Sequence, residues 1–239
     1  MRVAWCITGS GWGISEAVKL VEQLSSNGWT IDGFVSEAGF YVLRMYGLWK
    51  RFAQNVTSLA LEHLEKPVYQ SALRVWGGAY AAVVIAPCTT NTVAKLVEGI
   101  ADTLVTCVAT YARKTKTPLV VAPADVGERR QSLLPPYIDQ RRCKRCEDCV
   151  AAKACPREAI WFDGRQYHID LRLCNGCARC KEACPYEAVV IHKRIEIRIR
   201  PFDKRLVERL HQFPEIMVAT TIERIATILQ QIMTSAQDR

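Results

Sequence analysis

Cys143-Lys144-Arg145-Cys146-Glu147-Asp148-Cys149 runs on to Cys155-Pro156, and Cys174-Asn175-Gly176-Cys177-Ala178-Arg179-Cys180 runs on to Cys184-Pro185. Eight of the eleven cysteines fall in these two runs. Three thiolates at such short spacing can wrap one face of an iron–sulfur cubane, and a more distant fourth closes it. In paired runs of this kind the fourth Cys, the one before Pro, ligates the other cluster. The spacing therefore predicts two [4Fe-4S] clusters, one on Cys143, Cys146, Cys149 and Cys184, the other on Cys174, Cys177, Cys180 and Cys155. CxxC pairs also bind zinc, but zinc does not account for two triple runs that each end in Cys-Pro. Five residues separate Cys149 from Cys155 where the bacterial pattern has three, so one loop is longer.

The runs sit in an internal repeat. Cys155-Pro156-Arg157-Glu158-Ala159-Ile160 matches Cys184-Pro185-Tyr186-Glu187-Ala188-Val189, as expected of a pseudo-twofold unit whose halves close each other's cluster. The unit is expected over 138–192. Metal–thiolate bonds there would replace the core that so short a segment cannot build.

Working outward, residues 1–137 read as alternating strand and helix. Val3 to Thr8 is an apolar run stopped by Gly9-Ser10-Gly11-Trp12-Gly13, and Ile14 to Leu24 carries apolar residues at helical spacing. Trp29–Val35, Ala81–Ala86 and Leu119–Ala122 read as further strands, with a helix over 89–99. Short, almost wholly apolar strands between helices indicate a parallel sheet buried on both faces. Phe40–Leu64 is aromatic and apolar without strand spacing, and reads as a subunit contact or a lid. Beyond His192 the alternation resumes, with a strand over 215–219, a capping box at Thr220-Thr221-Ile222-Glu223 and a helix to about Met233. One strand and one helix cannot fold alone, so 193–239 is expected to complete the first domain around an inserted cysteine-rich unit.

The formal charge of +8 is partly offset once clusters assemble. The 138–192 window holds ten Lys/Arg and eight Asp/Glu, and each four-iron core on four thiolates is a dianion. A basic stripe with interleaved aromatics, as nucleic acid requires, is absent, so no nucleic-acid partner is expected. No apolar run reaches the length of a membrane span, and the N-terminus lacks a signal-peptide layout. Thiolate ligands require a reducing compartment, so a cytoplasmic protein is the reading.

Two turns look built for anions. Thr8-Gly9-Ser10-Gly11-Trp12-Gly13 lies between a strand and a helix, where glycines allow a sharp turn and free N–H groups attract phosphate. It lacks the spacing of GxGxxG and the Gly-Lys-Ser/Thr of a P-loop, so a plain turn is the alternative. Ala86-Pro87-Cys88-Thr89-Thr90-Asn91-Thr92-Val93-Ala94-Lys95 opens a helix directly after a buried strand with a row of hydroxyl and amide groups. Its alternative is an ordinary N-cap cluster.

Thr8-Gly9-Ser10, Ser36-Glu37-Ala38 and the Ala86–Leu104 stretch resemble the FMN-binding flavoprotein superfamily of cysteine decarboxylases and flavin prenyltransferases, over about 1–125 and 195–239. The resemblance implies a Rossmann-like parallel sheet, FMN as cofactor and a homo-oligomer built from trimers. It implies that Gly9, Ser10 and Ser36 meet the flavin phosphate or ribityl chain, and that Thr89, Thr90, Asn91 and Thr92 line the cofactor. Pro123, Ala124 and Asp125 would lie near the ring, and Gly11, Trp12, Pro87 and Cys88 complete the candidate set. The decarboxylases' active-site His and Pro-x-Met-Asn clasp have no counterpart, since Ser71–Trp76 and Pro123-Ala124-Asp125 stand there and His63 lies too far upstream. The expected fold class is α/β: a Rossmann-like flavoprotein domain with an inserted bacterial-type 2[4Fe-4S] ferredoxin domain.

That combination resembles the acceptor-linked dihydromethanopterin reductases of one-carbon metabolism. The resemblance implies a small-molecule pterin substrate and an external low-potential electron donor of ferredoxin or flavin type. Clusters move single electrons while flavin can deliver two with a proton, so the order donor, clusters, FMN, dihydropterin follows. A non-enzymatic carrier, or a reductase of a quinone or disulfide, remains open at this stage. Arg74, Arg113, Lys114 and Lys116 are candidate cations beside the ring, Tyr111, Asp125 and water candidate proton donors, and Cys88 a candidate redox thiol. Cys6 and Cys107 read as buried small hydrophobes.

Overall fold

The computed structural model describes residues 1–237. Strands β1 (Arg2–Ile7), β2 (Thr30–Val35), β3 (Ser58–Leu61), β4 (Ala82–Cys88) and β5 (Leu119–Pro123) belong to one sheet with a later strand, β12 (Ile216–Val218). All six pair in parallel, in the order β12-β5-β4-β1-β2-β3. Helices α1 (Ile14–Ser26), α2 (Glu37–Met45), α3 (Trp49–Gln54), α4 (Glu62–Glu65), α5 (Leu73–Trp76), α6 (Thr90–Glu98) and α7 (Leu104–Lys114) connect them. This is the doubly wound order, and its switch point lies between β1 and β4, where open α/β sheets bind ligands.

The strands are apolar on both faces because both faces are covered. Val3, Trp5, Ile7, Val84 and Val120 pack into one layer with Ile14, Val18 and Val21 of α1. Ala4, Cys6, Val83, Ile85 and Val121 pack into the other with Val93 and Leu96 of α6 and Leu104 and Val108 of α7. Each fully buried large side chain contributes roughly 1.5–3 kcal/mol.

After β5 the chain leaves the sheet along β6 (Arg129–Leu133) and returns along β11 (Arg194–Arg198), and these two pair as an antiparallel ribbon. Between them lie β7 (Tyr137–Ile138), α8 (Val150–Lys153), β8 (Ile160–Phe162), β9 (Tyr167–Ile169), α9 (Arg179–Ala183) and β10 (Val189–Val190). Here β7 pairs with β10 and β8 with β9, all antiparallel. The repeat is visible in the hydrogen bonds. Cys143 N donates to Asp139 O at 2.9 Å and Cys174 N to Asp170 O at 3.0 Å. Asp139 N donates to Ala188 O, and Asp170 N to Ala159 O, both at 2.7 Å. After the ribbon, α10 (Pro201–Leu210) packs on α6, and α11 (Ile222–Gln237) packs on α1.

Phe40–Leu64 contains most of α2, all of α3 and the edge strand β3. The α11 cap is Thr221, whose Oγ1 accepts from Arg224 N at 3.3 Å; the box starting at Thr220 is shifted by one residue and Glu223 takes no part in a reciprocal bond. Among the tryptophans Trp5 is fully buried, while Trp76 and Trp161 are exposed by 56% and 51%.

Candidate functional site

At the switch point the two turns are tied together. Thr8 Oγ1 donates to Pro87 O at 2.7 Å and accepts from Thr89 N at 2.9 Å. A hydroxyl thus joins the carboxyl ends of β1 and β4, and Thr8 was missed as a site residue because it closes an apolar run. Gly9 lies where the β1 turn meets α2: a Cβ there would fall 2.6 Å from Ala38 Cβ, so any side chain would push the turn away from Ser36. Ser10 Oγ accepts from Trp12 N at 3.1 Å and donates to Trp12 O at 3.3 Å. Gly13 precedes α1 in the left-handed region, φ +68°, and no side chain caps that helix. Its first N–H groups are therefore free to meet an anion.

Ser36 caps α2 by accepting from Gly39 N at 3.0 Å, while Glu62 Oε2 accepts from Glu37 N at 2.7 Å. Ser36 can still donate its hydroxyl proton. Thr89 caps α6, accepting from Thr92 N at 3.4 Å, and its Oγ1 lies 3.1 Å from Thr92 Oγ1. Thr90 Oγ1 donates to the Asp125 carboxylate. Asn91 is exposed at the mouth, Pro87 and Cys88 are buried, and Pro123 and Ala124 are buried beside them at the end of β5. Gly9, Ser10, Ser36, Thr89–Thr92 and Asp125 thus follow the carboxyl ends of β1, β2, β4 and β5, where a doubly wound sheet leaves its switch-point crevice, and their hydroxyls and N–H groups suit a phosphate- and ribityl-bearing cofactor. Cys88 is wholly buried and burial pushes its thiol far up. It is a packing residue rather than a reactive thiolate.

Beside this crevice lies a cavity of about 270 Å³, bounded by Trp12, Glu16, Arg130, Arg194 and Glu223. The Arg130 guanidinium sits 4.0 Å over the Trp12 ring and donates from Nη2 to Thr220 O at 2.8 Å, while its buried Nε has no partner. Burial lowers its pKa and the Asp125 carboxylate opposes that. Arg130 escaped the sequence reading. Its signal lies in strand alternation, which turns it inward between outward Arg129 and Gln131. Of the cations that were singled out, Arg113 pairs with Glu215 at 2.8 Å and Arg74 bonds Ser58 and Ser71, so both are engaged in packing. Tyr111 packs edge-on against Trp76, while Asp125 stays partly exposed just beyond β5, bonded by Thr90.

In the cysteine-rich unit, Cys143, Cys146, Cys149 and Cys184 line one cavity of about 210 Å³ with Tyr167 and Pro185. Tyr167 Oη donates to Cys146 O at 2.9 Å. The extra residues between Cys149 and Cys155 form one helical turn, α8. The second set also converges: burial first, then Cys155, Cys174 and Cys177, push the Cys180 thiol up to about 11. Burial likewise pushes the Cys174 thiol up, with Cys155 and Cys177 adding to it. Ala159 N donates to Cys155 Sγ at 3.3 Å, a bond of the kind that steadies a cluster sulfur. Among the described residues no three Cys, His, Asp or Glu side chains gather tightly enough for a single ion, as zinc with its ~3.8 Å sulfur spacing would need.

Fold and site together define an iron–sulfur flavoprotein. Residues 1–127 match the Flavoprotein family, to which the chain belongs, and residues 167–190 match the 4Fe-4S binding domain. Over 232 residues the chain is 35% identical to the dihydromethanopterin reductase (acceptor) of Methanosarcina mazei, covering 94% of this chain and 97% of that protein. It is 34% identical over 229 residues to the protein of the same name from Methanocaldococcus jannaschii, covering 91% of each. It is an oxidoreductase of this group. Among solved structures, Burkholderia xenovorans DmrB in complex with FMN, described as a cubic protein cage for redox transfer, shares the fold. The TM-score is 0.65 at 24% identity, over 99% of this chain and 97% of that one. No helix among the described residues is long and apolar enough to cross a membrane.

Proposed function

We propose that the chain takes electrons from an external low-potential donor and uses them to reduce dihydromethanopterin to tetrahydromethanopterin. Cys143, Cys146, Cys149 and Cys184 would hold one [4Fe-4S] cluster, and Cys155, Cys174, Cys177 and Cys180 the other. Gly9, Ser10, Gly11, Trp12, Ser36, Pro87–Thr92 and Pro123–Asp125 would hold FMN. When bound, the clusters supply single-electron transfer and the flavin supplies conversion to a two-electron hydride. The observation that carries the reading is the fusion itself: two convergent sets of four thiols on a ribbon that leaves the flavoprotein sheet beside its switch-point crevice.

The chain's own groups define the acceptor's place. Trp12 and Arg130 form a flat, cationic wall suited to a pterin ring. Glu16 and Glu223 offer acceptors for its amino and ring N–H groups, and Arg194 offers a donor. Asp125, held by Thr90, is placed to carry a proton. The division into 1–137, 138–192 and 193–239, assembly from trimers and a cytoplasmic setting belong to the same proposal. Support comes from the relatives' name and from the need of thiolates for a reducing compartment.

The test is anaerobic. Protein loaded with iron and flavin is reduced, and dihydromethanopterin is added while the flavin band is followed. Reoxidation with formation of the tetrahydropterin is expected, and a flavin band that stays bleached overturns the assignment.

A further inference from the structure

Arg44 lies in the last turn of α2, outside every group considered so far. Its guanidinium is held over the Phe40 ring and donates from Nη1 to Arg172 O at 3.1 Å and from Nη2 to Leu173 O at 3.2 Å. Those carbonyls directly precede Cys174. Just beyond, the Cys174–Cys177 loop meets the end of α2 backbone to backbone. A Cβ on Gly176 would fall 2.5 Å from Gly47 N and 2.7 Å from Met45 O, so only glycine permits the contact. Leu171 packs into the sheet's own hydrophobic layer. The cavity of Cys143, Cys146, Cys149 and Cys184 differs, because every residue lining it comes from 143–188. Its nearby charges, Lys144, Arg145 and Asp148, are its own.

We infer that Arg44 is a positioning residue that clamps the Cys174–Cys177 loop to α2 and raises the reduction potential of the cluster on Cys155, Cys174, Cys177 and Cys180 alone. Cluster potentials follow local charge, hydrogen bonding and exposure. A fixed cation beside Cys174 favours the more negative, reduced state. The same helix begins at Ser36 in the flavin crevice, and its nine residues span about 13 Å. The clamped loop is therefore tied to the helix that opens at the flavin crevice, and a raised potential lets its cluster draw electrons from the other. The inference rests on the two-cluster reading above.

The experiment is a potentiometric titration of the anaerobic full-length protein, followed by electron paramagnetic resonance. Cys177→Ser, at an exposed ligand, marks which signal belongs to the clamped cluster by altering its spectrum. In Arg44→Gln that signal is expected to shift to more negative potential while the other stays in place. Arg44→Lys, which keeps the charge and loses the fork, should remain close to wild type and also serves if the glutamine variant folds poorly. Two signals that both stay fixed, or that move together, overturn the inference. Iron sufficient for only one cluster removes the two-cluster reading itself, and the inference with it.

Discussion

Strands β1 and β4 are buried almost end to end, and Trp5, Ile7, Val84 and Ile85 lose all contact with water. In the cysteine-rich unit β8 leaves Trp161 and Phe162 about half exposed, and the buried set is small: Ile138, Ala151, Ile160, Tyr167, Ala188, Val189 and Ile191 with Cys180. The sheet carries its stability in apolar area distributed over two layers. The cysteine-rich unit has too little of that area, and on the proposed two-cluster reading its stability would rest on eight sulfur ligands. Destabilisation should therefore be graded in one region and all-or-none in the other.

The largest effect expected is iron removal. Chelation under anaerobic conditions should abolish hydrogen-exchange protection between Tyr137 and Val190 while amides of β4 and β5 remain protected; equal loss in both regions would break the comparison. Next comes Ile85→Ala, which should cost about 2–5 kcal/mol in denaturant unfolding with iron content unchanged. Ile160→Ala, in the small core, should cost about 2 kcal/mol in the iron-loaded protein, the low end of that range, because fewer neighbours surround it; a cost at the high end, equal to that of Ile85→Ala, would contradict the division.

The smallest effect concerns Asp32, at the opposite end of the sheet from the crevice. Burial would raise its pKa, but hydrogen bonds led by Tyr80 Oη at 2.7 Å, with Arg2 also donating, outweigh it and hold the carboxyl below its ordinary value. A lowered folded pKa adds stability above the unfolded value and loses it as pH falls through the folded one. Asp32→Asn should thus be about 1–2 kcal/mol less stable at neutral pH, with the gap narrowing below about pH 5. Unfolding midpoints across that range provide the check.

Most of the sheet was legible because strands covered on both faces are apolar runs with glycine or proline at their ends. The edge strand β3 was not, since Ser58-Leu59-Ala60-Leu61 is only half covered and short. The ribbon was also missed. Arg129–Leu133 and Arg194–Arg198 are charged and exposed on alternate positions, so charge masked the period-two pattern. The thiol groupings are read from chemistry, because proline after the fourth cysteine marks the exchange between halves, and the structure gathers Cys143, Cys146, Cys149 and Cys184 around one cavity. Arg130 and Arg44 were not legible, since their roles depend on contacts 90 and 128 residues away in sequence, which no local pattern encodes.

The paired crossing strands β6 and β11 bring the chain's departure and return side by side, Arg129 opposite Arg198 and Leu133 opposite Arg194. A segment attached at two adjacent points behaves like a cartridge on a socket. A two-residue turn joining Leu133 to Arg194 would close the ribbon as a simple hairpin and leave the sheet's connectivity intact. Because Gln131, Ser132 and Arg194 also wall the Trp12 cavity, the socket itself shapes that cavity, and swapping cartridges would leave it standing.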